Sequence, residues 1–135
     1  MGTTVPPLGP LFTIPDFTIS GVLPPFLGSK PTSAAVMSPY RKKLTNVAGK
    51  LCGSKERREI FRGLLQYRQE LAGMGLTNGF QWLSGSFTED IELLEARQPR
   101  DVDVVTFCHR PAGIHDDMAW KDFTDANRYL LLSPL

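Results

Sequence analysis

Trp82-Leu83-Ser84-Gly85-Ser86 and, further along, Asp101-Val102-Asp103-Val104-Val105 decide how this chain is read. In the second stretch β-branched residues alternate with carboxylates, the pattern of a strand over 101–107. Residues i and i+2 of a strand share a face, so Asp101 and Asp103 are expected to project together while Val102 and Val104 turn to a core. Two parallel carboxylates repel, and burying them unpaired is costly. A divalent cation resolves that repulsion, and hard oxygen ligands suit Mg²⁺. The first stretch reads as a short aromatic strand over 80–83, broken at Gly85-Ser86 ahead of a short helix over 89–96. A strand that turns into a helix start exposes backbone N–H groups, which bind phosphate. Glycine lets the backbone approach closely, and the Ser86 hydroxyl can donate to a phosphate oxygen. A phosphate cradle beside metal carboxylates is the equipment of nucleotidyl transfer. Each half also has an ordinary use: a Gly-Ser turn as a turn, and Asp-x-Asp as charge that protects a strand edge.

Outward from this centre, Ser38-Pro39 is a helix-start signal, and Tyr40, Leu44, Val47, Ala48 and Leu51 recur at helical spacing up to Gly53. Ser54 is placed to cap a second helix with Glu56 in its first turn and an apolar face of Ile60, Phe61, Leu64, Leu65, Tyr67, Leu71 and Ala72; Gly73 and Gly75 stop it. Asp116 to Leu132 reads as a last helix. Residues 1–37 hold seven of the eleven prolines together with Leu11, Phe12, Ile14, Phe17, Ile19, Val22, Leu23, Phe26 and Leu27. That mixture predicts an extended arm lying along the domain of residues 38–135 and covering apolar surface.

Gly85-Ser86 followed by Asp101-x-Asp103 resembles the signature of the DNA polymerase beta-like nucleotidyltransferase superfamily. The wider set is more specific: Gly21-Val-Leu-Pro-Pro-Phe26, Ser38-Pro-Tyr-Arg, Ser54-Lys-Glu-Arg-Arg, Gly79-Phe-Gln-Trp-Leu-Ser-Gly-Ser-Phe87 and Asp101-Val-Asp-Val-Val-Thr-Phe107. It is similar to a group of small bacterial nucleotidyltransferase-like proteins of unassigned function, from about Gly21 onward. The resemblance implies an α+β fold with a polymerase-beta-like core, a short mixed sheet with flanking helices. It implies Gly85 and Ser86 at a triphosphate, ATP being the leading choice, and Asp101 and Asp103 at Mg²⁺ as the catalytic pair. Apart from the resemblance, Arg100, just before Asp101, reads as a phosphate or carboxylate partner. The acceptor would be a hydroxyl of RNA, protein or a small molecule, and a toxin or phage-defence role follows by analogy alone. Superfamily members carry a third carboxylate on a later strand. Here nothing after Phe107 reads as a strand, and Asp116, Asp117, Asp122 and Asp125 fall in a loop and helix. The apolar Leu130-Leu-Leu-Ser-Pro-Leu135 end reads as unfinished, expected of a truncated product or of a sheet completed by another protomer or partner protein. The alternative function is therefore an incomplete nucleotidyltransferase-like module acting through a partner or homo-oligomer.

Composition sets the remaining bounds. The chain has 135 residues, a length that suits one domain, and 41% hydrophobic residues, enough for a core. No run approaches a membrane span and no signal peptide is expected. Two cysteines, Cys52 and Cys108, far apart and without metal-type spacing, argue against a disulfide framework or a zinc site, with a reducing cytoplasm as the default. Net charge is +1, but residues 38–70 carry +6 and the remainder −5, a basic first half against an acidic second. Arg57, Arg58 and Arg62 share part of a helix, with RNA backbone contact as one reading and solvent as the other. Trp82 and Phe87 suit base stacking or packing. His109 and His115 flank a loop. Cys108 reads as a small hydrophobe, and Cys52 as structural, with Lys50 and Lys55 near enough in sequence to lower its pKa.

Overall fold

Alternation along 103–108 and 79–84 produces two six-residue strands, β1 (Gly79–Ser84) and β2 (Asp103–Cys108), paired antiparallel in a computed structural model that describes residues 13–132. The register runs from Gly79 opposite Cys108 to Ser84 opposite Asp103. The fold is α+β, with five α-helices among the described residues besides this pair: α1 (Leu44–Leu51), α2 (Lys55–Gly73), α3 (Ile91–Glu95), α4 (Asp117–Ala126) and α5 (Arg128–Leu132). Where the resemblance implies a mixed sheet, the sheet among the described residues is two-stranded and wholly antiparallel. The reason is local: the connection from β1 folds into a 3₁₀ turn (Ser86–Thr88) and α3, then returns along β1 in the opposite sense. Gly79 is required by this pairing, since a Cβ there would lie 1.9 Å from the Phe107 carbonyl oxygen.

The helices differ from their sequence patterns mainly at the ends. Ser38-Pro39 does not start α1; its peptide is cis, and the helix begins five residues later, with Lys43 as N-cap. Asn46 substitutes for the expected hydroxyl, its side chain accepting from the Lys43 N–H at 3.0 Å. Ser54 caps α2 as expected, accepting from the Arg57 N–H at 3.1 Å. The helix ends at Gly73, and Gly75 takes φ +85° just beyond it. The last predicted helix is two: α4 stops at Ala126, and the Asn127 side chain donates to the Phe123 carbonyl oxygen at 2.8 Å where α5 begins.

The core lies where α1, the start of α2, the 3₁₀ turn and the entry to β2 meet. Val47, Leu51, Phe87 and Val102 are its buried centre, with Ile60, Phe61, Leu83 and Val104 packed against it. Ile14 and Phe17 from the proline-rich segment join the same cluster, and Gly21 receives the Leu94 side chain where a Cβ would stand 2.5 Å from Leu94 Cγ. The Gly21 carbonyl accepts from the Asp90 N–H at 2.8 Å, and the Tyr40 hydroxyl donates to the Pro24 carbonyl at 2.5 Å. The part of the arm that precedes residue 13 lies outside the described residues. Among the described residues no helix is long and apolar enough to cross a membrane.

Candidate functional site

β1 delivers the chain to the bend at its last residue. Ser84 pairs with Asp103, so Gly85 emerges directly beside the first residue of β2. Gly85 has φ +84° and ψ −170°, a conformation open to glycine and strained for every L side chain. Space imposes the same requirement: a Cβ on Gly85 would lie 2.7 Å from Asp103 Oδ2. The Gly-Ser bend and one of the two carboxylates are thus in contact distance, although sixteen residues of a folded connection separate Ser86 from Asp103 in the chain.

The 3₁₀ turn closes through Thr88, whose N–H and hydroxyl both donate to the Gly85 carbonyl, at 3.0 and 2.9 Å. The N–H groups of Gly85, Ser86 and Phe87 find no acceptor outside the strand ladder among the described residues. Donors left over at the start of a turn are what an anion requires. Ser86 is half-buried.

Asp101 lies two residues before β2, and Val102 between the carboxylates is 3% exposed. Asp101 and Asp103 are both exposed, which preserves the expected alternation of carboxylate out and valine in. Among the described residues, no cationic side chain or hydrogen-bond donor engages either carboxylate. Arg100 is exposed, and its side chain likewise forms no ion pair or hydrogen bond among the described residues. An unpaired Asp103 carboxylate beside the glycine bend, with an exposed Asp101 two residues before it in the chain, offers hard oxygen donors of the kind Mg²⁺ takes, a cation that keeps several waters and shares substrate phosphate oxygens. Among the described residues no three His, Cys, Asp or Glu side chains converge on a metal position.

Ser84, Trp82 and Phe80 share a face of the sheet with Asp103, Val105 and Phe107. The rings of Phe80 and Phe107 stack at 4.9 Å, and Trp82 meets Phe107 edge-on at 4.8 Å. All of these apolar side chains remain partly open to solvent, Trp82 at 48%. The opposite face carries Leu83 and Val104 into the core. The carboxylate end of the sheet therefore continues into an aromatic surface on the same side.

The remaining candidates separate cleanly. Phe87 is fully buried and unavailable for base stacking, whereas Trp82 is exposed. Arg57 is no surface contact for RNA: it is 6% exposed, while Arg58 and Arg62 are exposed. Its guanidinium forms two hydrogen bonds with the Glu92 carboxylate, donates to the Leu51, Phe87 and Glu89 carbonyls, and lies over the Phe87 ring. Burial pushes the Cys52 thiol up, against the smaller lowering effect of Arg57 and Arg58; the lysines named by sequence are not among the causes. Three of the four carboxylates after β2 have partners, and Asp122 is exposed on α4. Asp116 caps α4 through the Ala119 N–H at 2.7 Å, Asp117 pairs with Arg110, and Asp125 pairs with Lys121. His109 and His115 are exposed.

The sequence contained a sign of the Arg57 role that its charge obscured. Positions 57, 61, 64 and 71 fall on one helical face, so arginine occupied a core-facing position with Phe61, Leu64 and Leu71. Its partner sits in the acidic run Glu89, Asp90, Glu92, Glu95, which had no other assigned role.

Residues 15–132 match the model of a family of unknown function (DUF6932), and the chain belongs to that family. No curated protein and no solved structure matches the chain.

Proposed function

We propose that this chain is a Mg²⁺-dependent nucleotidyltransferase of the polymerase-beta type, with β1, β2 and the connection between them as the core of that fold. The observation that carries the reading is the contact between halves: the Gly85 bend stands 2.7 Å, in Cβ terms, from Asp103 Oδ2. Gly85 and Ser86 would hold the β- and γ-phosphates through backbone N–H groups and the Ser86 hydroxyl. Asp101 and Asp103 would hold the cation, and Arg100 stands next to them as an exposed positive charge for the phosphates. A Mg²⁺ held by these residues would supply neutralisation of phosphate charge and polarisation of the α-phosphate. The residues then present the α-phosphorus to an acceptor hydroxyl. The new bond would join the acceptor oxygen to that phosphorus, the hydroxyl proton passing to solvent, while the bond to the bridging oxygen breaks and pyrophosphate leaves. Trp82 offers an exposed ring on the same face for a base of the nucleotide or of an RNA acceptor. The two distant cysteines extend the proposal to a reducing cytoplasm, and the resemblance alone extends it to a toxin or phage-defence role.

A second reading has its own observation. Among the described residues no three carboxylates, histidines or cysteines gather at a metal position, and Asp116, Asp117 and Asp125 are engaged elsewhere. The chain would then bind Mg²⁺-nucleotide without turnover and act through a second copy or another protein. Titration of Mg²⁺-ATP into wild type and Asp103→Asn, with a parallel assay of labelled nucleotide transfer, tests both. Binding lost in Asp103→Asn with transfer by wild type supports the enzyme; the same binding without transfer supports the module. Binding that persists unchanged in Asp103→Asn overturns both.

A further inference from the structure

We propose that Arg57 is the positioning residue of the bend, a clamp from α2 that fixes where the Gly85–Ser86 donors stand relative to Asp103. The ligand in this inference rests on the reading proposed above; the clamp itself does not. Arg57 reaches three consecutive parts of the connection after β1. It donates to the Phe87 carbonyl inside the 3₁₀ turn at 2.8 Å, to the Glu89 carbonyl at its end at 2.7 Å, and to the Glu92 carboxylate on α3 at 2.9 Å. It also donates to the Leu51 carbonyl at the end of α1, at 3.3 Å. With Nε donating to the other Glu92 carboxylate oxygen, all five donors of the planar fork are committed, which lysine cannot reproduce. Leu51 belongs to the core and Phe87 is fully buried, so the clamp ties the bend to the rigid part of the molecule. The other half of the site is held from the same helix end. The Ser54 hydroxyl donates to Gln98 Oε1 at 2.7 Å, just ahead of Arg100 and Asp101. The start of α2 therefore fixes both ends of the connection, and Arg57 fixes the end that carries the phosphate donors. Sub-ångström placement of such donors decides how well they meet an anion.

The test uses the full chain with Arg57→Lys and Glu92→Gln, the second keeping a hydrogen-bonding partner for Arg57 and guarding against a first variant that does not fold. Two measurements are made on each. Titrations follow Mn²⁺ alone and Mg²⁺-ATP; amide hydrogen exchange follows Thr88, Glu89 and Asp90 against the β1–β2 ladder. A positioning role predicts Mg²⁺-ATP binding weakened about tenfold with Mn²⁺ binding changed less than about twofold, and exchange accelerated about tenfold or more at the three turn amides relative to the ladder. Loss of both affinities in step, or turn and ladder amides accelerating together, would make Arg57 a stabiliser only and overturn the inference. No change in either measurement overturns it as well. If the wild type binds no Mg²⁺-ATP, the functional reading fails on its own, and the exchange pattern still decides the clamp.

Discussion

Asp103 and Gly85 constrain each other at the level of single atoms. A methyl group on residue 85 would have to displace the carboxylate or move the bend, at a backbone angle already unfavourable for alanine. Gly85→Ala is therefore expected to cost about 1–3 kcal/mol, read by urea denaturation, and to disturb the carboxylate that the bend faces. Asp103→Asn should behave oppositely. The side chain is exposed and unpaired among the described residues, so its replacement is expected to change stability by less than about 0.5 kcal/mol while removing metal-dependent binding. The two variants together distinguish architecture from chemistry at neighbouring atoms. At this scale the sequence was readable in part. Asp101, Asp103, Gly85 and Ser86 announced themselves through pattern, because strand alternation and glycine need no knowledge of the tertiary fold. Arg57 did not, because a positive charge on a helix is solvated unless long-range partners meet it, and its partners in the connection lie thirty or more residues away.

Among the elements, the start of α2 has the most to lose. Ser54 both caps the helix and bonds Gln98, so Ser54→Ala is expected to cost about 1–2 kcal/mol in a chemical denaturation series. The Arg57–Glu92 pair gives this region a pH dependence with a definite sign. Hydrogen bonding to Arg57 holds the Glu92 carboxyl below its ordinary 4.5, against a smaller opposing effect of desolvation. A carboxyl with a depressed folded-state pKa contributes stability that is complete above its unfolded value and is lost as pH falls through the folded one. Wild type should therefore lose stability below about pH 4.5 more steeply than Glu92→Gln, measured as thermal midpoints down to about pH 3. Equal slopes would mean that the pair is not formed in solution. Element types followed from periodicity for α2, β1 and β2, whose apolar residues repeat at clear spacing. Element ends did not. Ser38-Pro39 carries a helix-start signature and yet lies in the extended segment, where Ser38 N–H donates to the Pro25 carbonyl.

For the molecule as a whole, the α+β class was legible and the sheet was not. Both strands were located, the second starting two residues later than expected, but their mutual direction depends on how the connection folds back, and that connection is held by Arg57 on Phe87, Glu89 and Glu92 and by the Gly21 turn on Asp90 and Leu94. The same contacts bring Gly85 to Asp103, so the fold and the candidate site have one cause. They also leave one side of the sheet, from Asp103 through Val105 to Phe107 with Trp82 and Phe80 beside them, open at its apolar end. The most direct measurement of the central claim is calorimetric titration of Mg²⁺-ATP into the full chain, repeated without Mg²⁺ and repeated with Asp103→Asn. The account predicts saturable binding that requires Mg²⁺ and disappears in Asp103→Asn while the variant's thermal midpoint stays within about 2 °C of wild type. Absent binding, or binding indifferent to both the cation and Asp103, would contradict it.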